Sequence, residues 1–107
     1  MIQKTADNDK LTVVIDGVLD THTSPVLTEE LEGALDDVKT LILDFEKVPY
    51  ISSAGVRAIL LLQQTMDRQG SMTLINVNDE IMELFDTIGF LNVVTIENKA
   101  VFNKAKE

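Results

Sequence analysis

The sequence predicts an α/β fold with a mixed, mostly parallel sheet of four to five strands flanked by helices. Short β-branched segments, such as KLTVVIDGV from Lys10 and TLILDF from Thr40, alternate with segments whose apolar residues recur at helical spacing. Strands that alternate with helices form largely parallel sheets through right-handed crossovers. The chain has 107 residues, of which 45% are hydrophobic. This length suits a single core, so we expect one domain over residues 1–107.

The first half of the chain predicts two paired strands, a helix and a central strand. Residues 10–18 form a predicted strand after the Asn8-Asp9 turn, and residues 2–5 can pair with it. The dipeptide Ser24-Pro25 predicts a helix start, because serine is a favoured N-cap and proline fits the first helical position. The predicted apolar face of this helix is Leu27, Leu31, Ala34, Leu35 and Val38. Residues 40–45 follow as a buried strand.

The second half predicts two strands and three helices. A helix runs from the Ser52-Ser53 pair to near Gly70, with Gly55, Ile59, Leu62 and Met66 on its inner side and Ser53, Arg57, Leu60, Gln64 and Arg68 on its outer side. Residues 72–77 form a strand. Asn78 or Asp79 caps a third helix, and Gly89 ends it. Its predicted core face is Ile81, Leu84, Phe85 and Ile88. Residues 93–96 form a last strand, and Asn98 caps a terminal helix holding Val101, Phe102 and Ala105.

Composition excludes several classes of function. Nine basic and 18 acidic residues give a formal charge of −9, which opposes binding to nucleic acid or to an anionic membrane. Such a surface keeps a protein monomeric and soluble, or it attracts a basic protein partner. No apolar run approaches the length of a membrane span, and the first residues lack the apolar core of a signal peptide. We therefore expect a cytoplasmic protein.

Catalytic and cofactor motifs are missing from the sequence. There is no cysteine, and the single histidine, His22, lies in a loop without obvious partner ligands. No phosphate-binding glycine motif follows a strand. We therefore expect no enzymatic activity, no metal and no cofactor. Asp44 ends an apolar strand, as the phosphoacceptor of a response-regulator receiver does, but Asp16 and Asp20 are not an adjacent acidic pair and no lysine follows the strand that ends at Val77.

The Ser52-Ser53 pair at the mouth of the second helix has two interpretations. If Ser52 is the N-cap, its side-chain oxygen accepts a hydrogen bond from a free N–H of the first turn. Ser53 is then the first helical residue, near the positive end of the helix dipole, where a phosphate would be stabilised and Arg57 could reach it. Capping is the commoner role of such serines, and physical reasoning alone leaves both roles open.

Three segments of the chain, in order, resemble STAS domains, the family of sulfate transporters and anti-sigma factor antagonists. They are VVIDGVLDTHTSPVL, LILDFEKVPYISSAGVRAILLL and INVNDEIMELFDTIGFLNVV. The middle segment is similar to the family's D-S-[ST]-G-[LV] turn, with Ser52 at the aspartate position, Ser53 at the serine and Ala54 before the glycine. The resemblance implies that Ser53 is phosphorylated and that Asp20 lies near the same surface.

The resemblance also implies a function and partners. Stand-alone antagonists bind an anti-sigma factor, a GHKL-type serine kinase, and phosphorylation of the antagonist switches this binding; a cognate phosphatase would reverse it. The partner-binding surface predicted here consists of Asp20, Ser52, Ser53, Arg57, Leu60 and Gln64. The alternative is a non-catalytic STAS regulatory or scaffolding subunit of a transport or signalling complex. Both functions use the same fold and surface.

Overall fold

The computed structural model describes residues 1–97 and confirms the predicted α/β class. The strands are β1 (Ile2–Asp7), β2 (Lys10–Asp16), β3 (Thr40–Lys47), β4 (Ser71–Ile75) and β5 (Thr95–Glu97). The helices are α1 (Ser24–Leu31), α2 (Ser53–Asp67) and α3 (Asp79–Thr87), and a 3₁₀ turn covers Phe90–Asn92. The terminal helix predicted after Asn98, with Val101, Phe102 and Ala105, lies outside the described residues.

The sheet is mixed, and its strands follow one another in chain order. The order is β1-β2-β3-β4-β5. β1 pairs antiparallel with β2, as predicted, and Ile2 lies opposite Ile15. The pairs β2–β3, β3–β4 and β4–β5 are parallel. Each crossover moves one strand further in the same direction, and parallel crossovers are right-handed as a rule, which puts α1, α2 and α3 on one face of the sheet.

Alternating residues of the central strands point into the core under the helices. β3 buries Leu41, Leu43 and Phe45, whereas Ile42 and Asp44 on the opposite face are half-buried. From α2, the predicted inner residues Gly55, Ile59, Leu62 and Met66 are all buried. This rotational orientation of α2 matters for function, because it determines which of its side chains remain at the surface.

The first helix is shorter than predicted and begins one residue earlier. α1 starts at Ser24 with Thr23 in the cap position, so Ser24 is not the N-cap. The Thr23 hydroxyl is engaged in the preceding loop, where it donates to the Val18 carbonyl at 2.6 Å. The helix ends at Leu31 because the chain turns at Gly33, which has a φ of +81°. Leu35 and Val38 are buried as predicted, but from turns after the helix.

The third helix confirms its predicted ends but not all of its predicted core face. Asn78 is the N-cap, and its side-chain oxygen accepts a hydrogen bond from the Ile81 N–H at 2.8 Å. Gly89 adopts the left-handed conformation with a φ of +77°. Ile88 was predicted in the core, yet 51% of it is exposed. Ile88 is the C-cap residue, beyond the last helical residue Thr87, and Phe90 from the following 3₁₀ turn is buried instead, edge-on to Phe85.

The last strand also begins later than predicted. The 3₁₀ turn at Phe90–Asn92 and the residues Val93 and Val94 precede it, and β5 covers Thr95–Glu97. Val93 is exposed and Val94 is buried, so the apolar pair is divided between surface and core. Valine favours strands whether it lies inside a strand or just before one, so the Val93-Val94 pair does not mark where the strand begins.

We predict that Gly55→Ala destabilises the protein, although alanine improves helix propensity by about 1 kcal/mol. A Cβ atom at Gly55 would lie 2.5 Å from Ile51 Cγ1 and 2.8 Å from the Leu19 carbonyl oxygen. Overpacking of this kind costs about 1–3 kcal/mol. The urea midpoint should fall for Gly55→Ala and stay nearly constant for the control Ser53→Ala, which changes an exposed position of the same helix. An unchanged Gly55→Ala midpoint would show that the contact with Leu19 and Ile51 relaxes without cost.

Candidate functional site

A backbone bridge brings two loops together at the start of α2. Leu19, after β2, and Ile51, after β3, form an isolated parallel bridge. The Leu19 N–H donates to the Tyr50 carbonyl at 3.1 Å, and the Ser52 N–H donates to the Leu19 carbonyl at 2.8 Å. Both Leu19 and Ile51 are fully buried. We call residues 50–53 the serine turn; the bridge fixes it against the loop that carries Asp20.

Ser52 occupies the N-cap position of α2, as predicted, but its side chain does not cap the helix. Its backbone is extended (φ −93°, ψ 177°), and the Ser52 carbonyl accepts the first helical hydrogen bond from the Val56 N–H at 2.9 Å. The Ser52 hydroxyl makes no cap hydrogen bond; it is buried without a partner among the described residues. The prediction that this oxygen satisfies a free N–H is therefore wrong, because the side chain points inward.

Ser53 is exposed and is the first residue of α2, a helix of 15 residues. Arg57, one turn further along, is exposed as well. Among the described residues the recorded ion pair joins Lys4 and Glu30, so the Arg57 guanidinium has no carboxylate partner there. No acidic side chain occupies the first turn of α2. The turn thus presents a hydroxyl group in a locally positive environment, made by the helix dipole and Arg57.

Asp20 organises the neighbouring loop. Its Oδ1 accepts hydrogen bonds from the His22 N–H at 2.9 Å and the Thr23 N–H at 3.0 Å. The Thr23 hydroxyl in turn accepts from the Asp20 N–H at 2.9 Å. The N–H donors of Thr23 and then His22 lower the pKa of the Asp20 carboxyl, because they stabilise its charged form. Asp20 therefore holds the loop in shape, which the sequence did not reveal.

This loop lies directly beside the start of α2. Thr21 lines a surface depression together with Ala54 and Arg57. The structure thereby brings the segment of Asp20 next to that of Ser53, as the family resemblance implied. Among the residues predicted for the partner-binding surface, those of the Asp20 loop and the serine turn meet here. Gln64 is exposed on α2 but lies about 16 Å from Ser53 along the helix axis. Gln64 can share an extended interface with Ser53 but cannot touch the same group.

Leu60 is not on the exposed stripe where it was predicted. It is half-buried and packs against the core, whereas 49% of its neighbour Leu61 is exposed. A helical wheel places both residues on the flanks of the helix, but it contains no information about which flank is covered by other parts of the protein. Sequence reasoning missed Leu61 and also Tyr50, which is 56% exposed on the serine turn. The run of three leucines was the available signal, since three consecutive residues cannot all face the sheet.

No helix within residues 1–97 is long and apolar enough to cross a membrane. In the same residues, no group of three or more histidine, cysteine, aspartate or glutamate side chains could hold a metal ion.

Fold and surface together define a small α/β protein with a mixed five-stranded sheet and an exposed serine at the mouth of its second helix. The family model described as the STAS domain matches residues 1–103. The chain belongs to the STAS family.

Comparisons with individual proteins agree. The chain is 31% identical to BtrV of Bordetella bronchiseptica, which is named for the class of anti-sigma factor antagonists, over 82% of this chain and 78% of BtrV. It is 29% identical to the anti-sigma-B factor antagonist of Bacillus subtilis, over 91% of this chain and 89% of that protein. The fold is similar to that of the Bacillus cell fate determinant SpoIIAA in its phosphorylated form, with a TM-score of 0.71, 18% identity and full coverage of both chains.

We predict that Ser52→Ala leaves the stability nearly unchanged, because a buried hydroxyl without a partner contributes no favourable hydrogen bond. The matched variant is Asn78→Ala, which removes a real cap with its 2.8 Å bond to the Ile81 N–H and should cost about 1 kcal/mol. Urea denaturation of the two variants tests the difference. Equal losses in both would show that the Ser52 hydroxyl caps α2 in solution.

We predict that Asp20 makes the stability depend on pH. Its pKa is lowered in the folded protein, so its contribution is present above the unfolded pKa and is lost as the pH falls through the folded pKa. Urea midpoints measured from pH 6 down to about pH 3 should therefore fall less steeply for Asp20→Asn than for the wild type. Asn keeps the side-chain oxygen and removes the titration. Glu83→Gln, at an exposed position of α3, is the control and should follow the wild type; parallel curves for Asp20→Asn and the wild type would contradict the prediction.

Proposed function

We propose that this chain is an anti-sigma factor antagonist that binds an anti-sigma factor in the cytoplasm and catalyses no reaction itself. The binding surface is formed by the serine turn, Arg57 and the Asp20 loop. The anti-sigma factor, a serine kinase of the GHKL type, phosphorylates Ser53, and a phosphatase restores the free hydroxyl. Relatives that align with more than three quarters of their own length carry the name of antagonist, which supports this function.

The observation that carries the proposal is the position of Ser53. Its hydroxyl is the exposed one of the serine pair, whereas the Ser52 hydroxyl is buried. A kinase must reach an oxygen that can enter its active site, so Ser53 is the acceptor of the two. The backbone around it is held by the bridge between Leu19 and Ile51, not by the Ser53 side chain. The hydroxyl is therefore available without unfolding the turn.

Phosphorylation would act on the surface charge. A phosphate adds about −1.5 to −2 charges at neutral pH. At the N-terminus of α2 this charge is tolerated by the fold, because the helix dipole and Arg57 oppose it. A partner surface that had been complementary to the neutral hydroxyl would meet the new charge and its bound water. Binding is then weakened by repulsion and by the cost of desolvation.

The alternative is a STAS subunit that regulates or scaffolds a transport or signalling complex. The same fold occurs in the murine anion transporter Slc26a9, where the similarity has a TM-score of 0.70 and 18% identity and covers 15% of the transporter chain. This similarity shows the fold alone. Ser52 in place of the family's aspartate removes one negative charge beside Ser53, and a chain that had lost phosphorylation control would tolerate that change.

We predict that Ser53, and not Ser52, becomes phosphorylated. The protein would be affinity-purified from its native cell, and the kinase partner recovered with it would then be purified and incubated with the protein and ATP. Mass spectrometry should locate the phosphate on Ser53 in the wild type and in Ser52→Ala, and should find none in Ser53→Ala. Ser53→Asp should keep the wild-type urea midpoint, because an acidic residue is favoured in the first helical turn, and should bind the kinase more weakly.

Two outcomes would contradict the proposal. If an ATP-binding partner is recovered and no phosphate appears on Ser53, the regulated position is elsewhere. If transport components are recovered and no kinase is found, the scaffolding alternative is correct.

A further inference from the structure

A groove runs along the flank of α2 that faces α1. Its upper part, beside the serine turn, is lined by Thr21, Ser24, Pro25, Thr28, Ala54, Arg57, Ala58 and Leu61. Its lower part is lined by Thr28, Leu31, Glu32, Gly33, Leu35, Asp36, Leu61, Leu62, Thr65 and Gln69. Thr28 and Leu61 line both parts, so the two depressions, of about 330 Å³ each, adjoin one another along α2. Between Ala54 and Thr65 the groove follows α2 for about 16 Å.

The lower part of the groove lies where α1 has ended. α1 ends at Leu31, after eight residues, and the chain then turns at Gly33. The lower half of α2 therefore faces turns instead of a helix, and the Leu61 side chain stays 49% exposed in the middle of the groove. The far end is closed by Gln69, whose side-chain amide donates to the Leu35 carbonyl at 2.6 Å and to the Val38 carbonyl at 2.7 Å.

The charges along the groove are asymmetric. Arg57 lies at the end near Ser53, and the exposed Glu32 and Asp36 lie at the far end. Among the described residues, neither of these acidic side chains is recorded in an ion pair. Between the two ends, α2 lines the groove mainly with the apolar side chains of Ala54, Ala58, Leu61 and Leu62, and Thr28 and Thr65 add hydroxyl groups. A complementary segment is apolar along one face and basic at one end.

We infer that this groove binds an amphipathic helix of the anti-sigma factor, with apolar side chains over Leu61 and lysine or arginine side chains facing Glu32 and Asp36. The inference rests on the proposed function, because the occupant belongs to the same partner. One wall of the groove is α2, and the other is α1 with the turns that follow it. Neither wall has a free strand edge, so a helix can bind in the groove but a strand cannot be added to it. The groove is continuous with the serine turn through Ala54 and Arg57, so one partner can occupy both. The net charge of −9 adds long-range attraction for a basic segment.

The groove would supply affinity for the partner, and phosphorylation of Ser53 would regulate binding at a different place on the surface. The groove lies beyond the direct reach of a phosphate on Ser53 over most of its length, so its apolar contacts persist in the phosphorylated protein. A kinase that docks there holds its substrate independently of the acceptor hydroxyl. Loss of this docking then raises the KM of the kinase for this protein and leaves kcat nearly unchanged.

Affinity for the purified kinase partner tests the groove with paired variants. Leu61→Asp should raise the Kd by at least about tenfold, as expected for the loss of a central apolar contact. Ile88→Asp is the control: Ile88 is 51% exposed but does not line the groove, and its Kd should stay within about twofold of the wild type. Circular dichroism and urea midpoints of both variants confirm that each is folded.

The acidic end is tested separately. The double change Glu32→Lys and Asp36→Lys should slow association, and the effect should shrink as salt is added. The matched double change Glu80→Lys and Glu83→Lys, at exposed positions of α3 outside the groove, alters the net charge equally and should alter association less. If the wild type binds no kinase at all, the proposed function fails and the groove with it. If the wild type binds, and Leu61→Asp and Ile88→Asp bind equally well, the groove is overturned while the proposed function stands.

Discussion

The structure around the serine turn depends on the backbone bridge between Leu19 and Ile51. Two hydrogen bonds of 2.8 and 3.1 Å join loops that are 32 positions apart in the sequence, and both side chains are fully buried. The bridge holds the connection between β3 and α2 against the loop that follows β2. Gly55 lets the first turn of α2 sit directly on these two side chains, where a Cβ atom would have no room. A larger residue would push the helix mouth outward and change the exposure of Ser52 and Ser53 together.

The bridge also explains why two adjacent serines have different environments. The Ser52 N–H is bound to the Leu19 carbonyl, which turns the Ser52 side chain toward the interior. The next residue has helical geometry and projects from the other side of the chain, so Ser53 reaches solvent. An aspartate at the Ser52 position, as the family pattern has, would need a partner for its charge in that interior. Serine avoids this cost and still allows the extended backbone of an N-cap residue.

Local patterns predicted most of the fold and, at the predicted partner surface, the exposure of Ser53, Arg57 and Gln64. The inner face of α2, the cap at Asn78 and the left-handed Gly89 follow from spacing and residue type within one element. The errors lie where another element decides the outcome. Thr23 replaces Ser24 as the cap residue because of bonds made in the preceding loop, and Leu60 is covered because of packing that no helical wheel contains. The Asp20 hydrogen bonds were missed for the same reason, since they depend on how the loop closes on itself.

The exposed Ser53 hydroxyl takes no part in holding the serine turn together, and this determines what a modification of Ser53 can do. No described hydrogen bond of the turn uses the Ser53 side chain, so a phosphate there would not break the bonds that hold α2 against Leu19. Phosphorylation of Ser53 would then change the charge of this surface and leave its shape unchanged. Such a change acts most strongly on a partner that already sits close to the helix mouth. An apolar contact further along α2, around Leu61, would hold the partner at that distance, and the charge at Ser53 would then decide whether it stays.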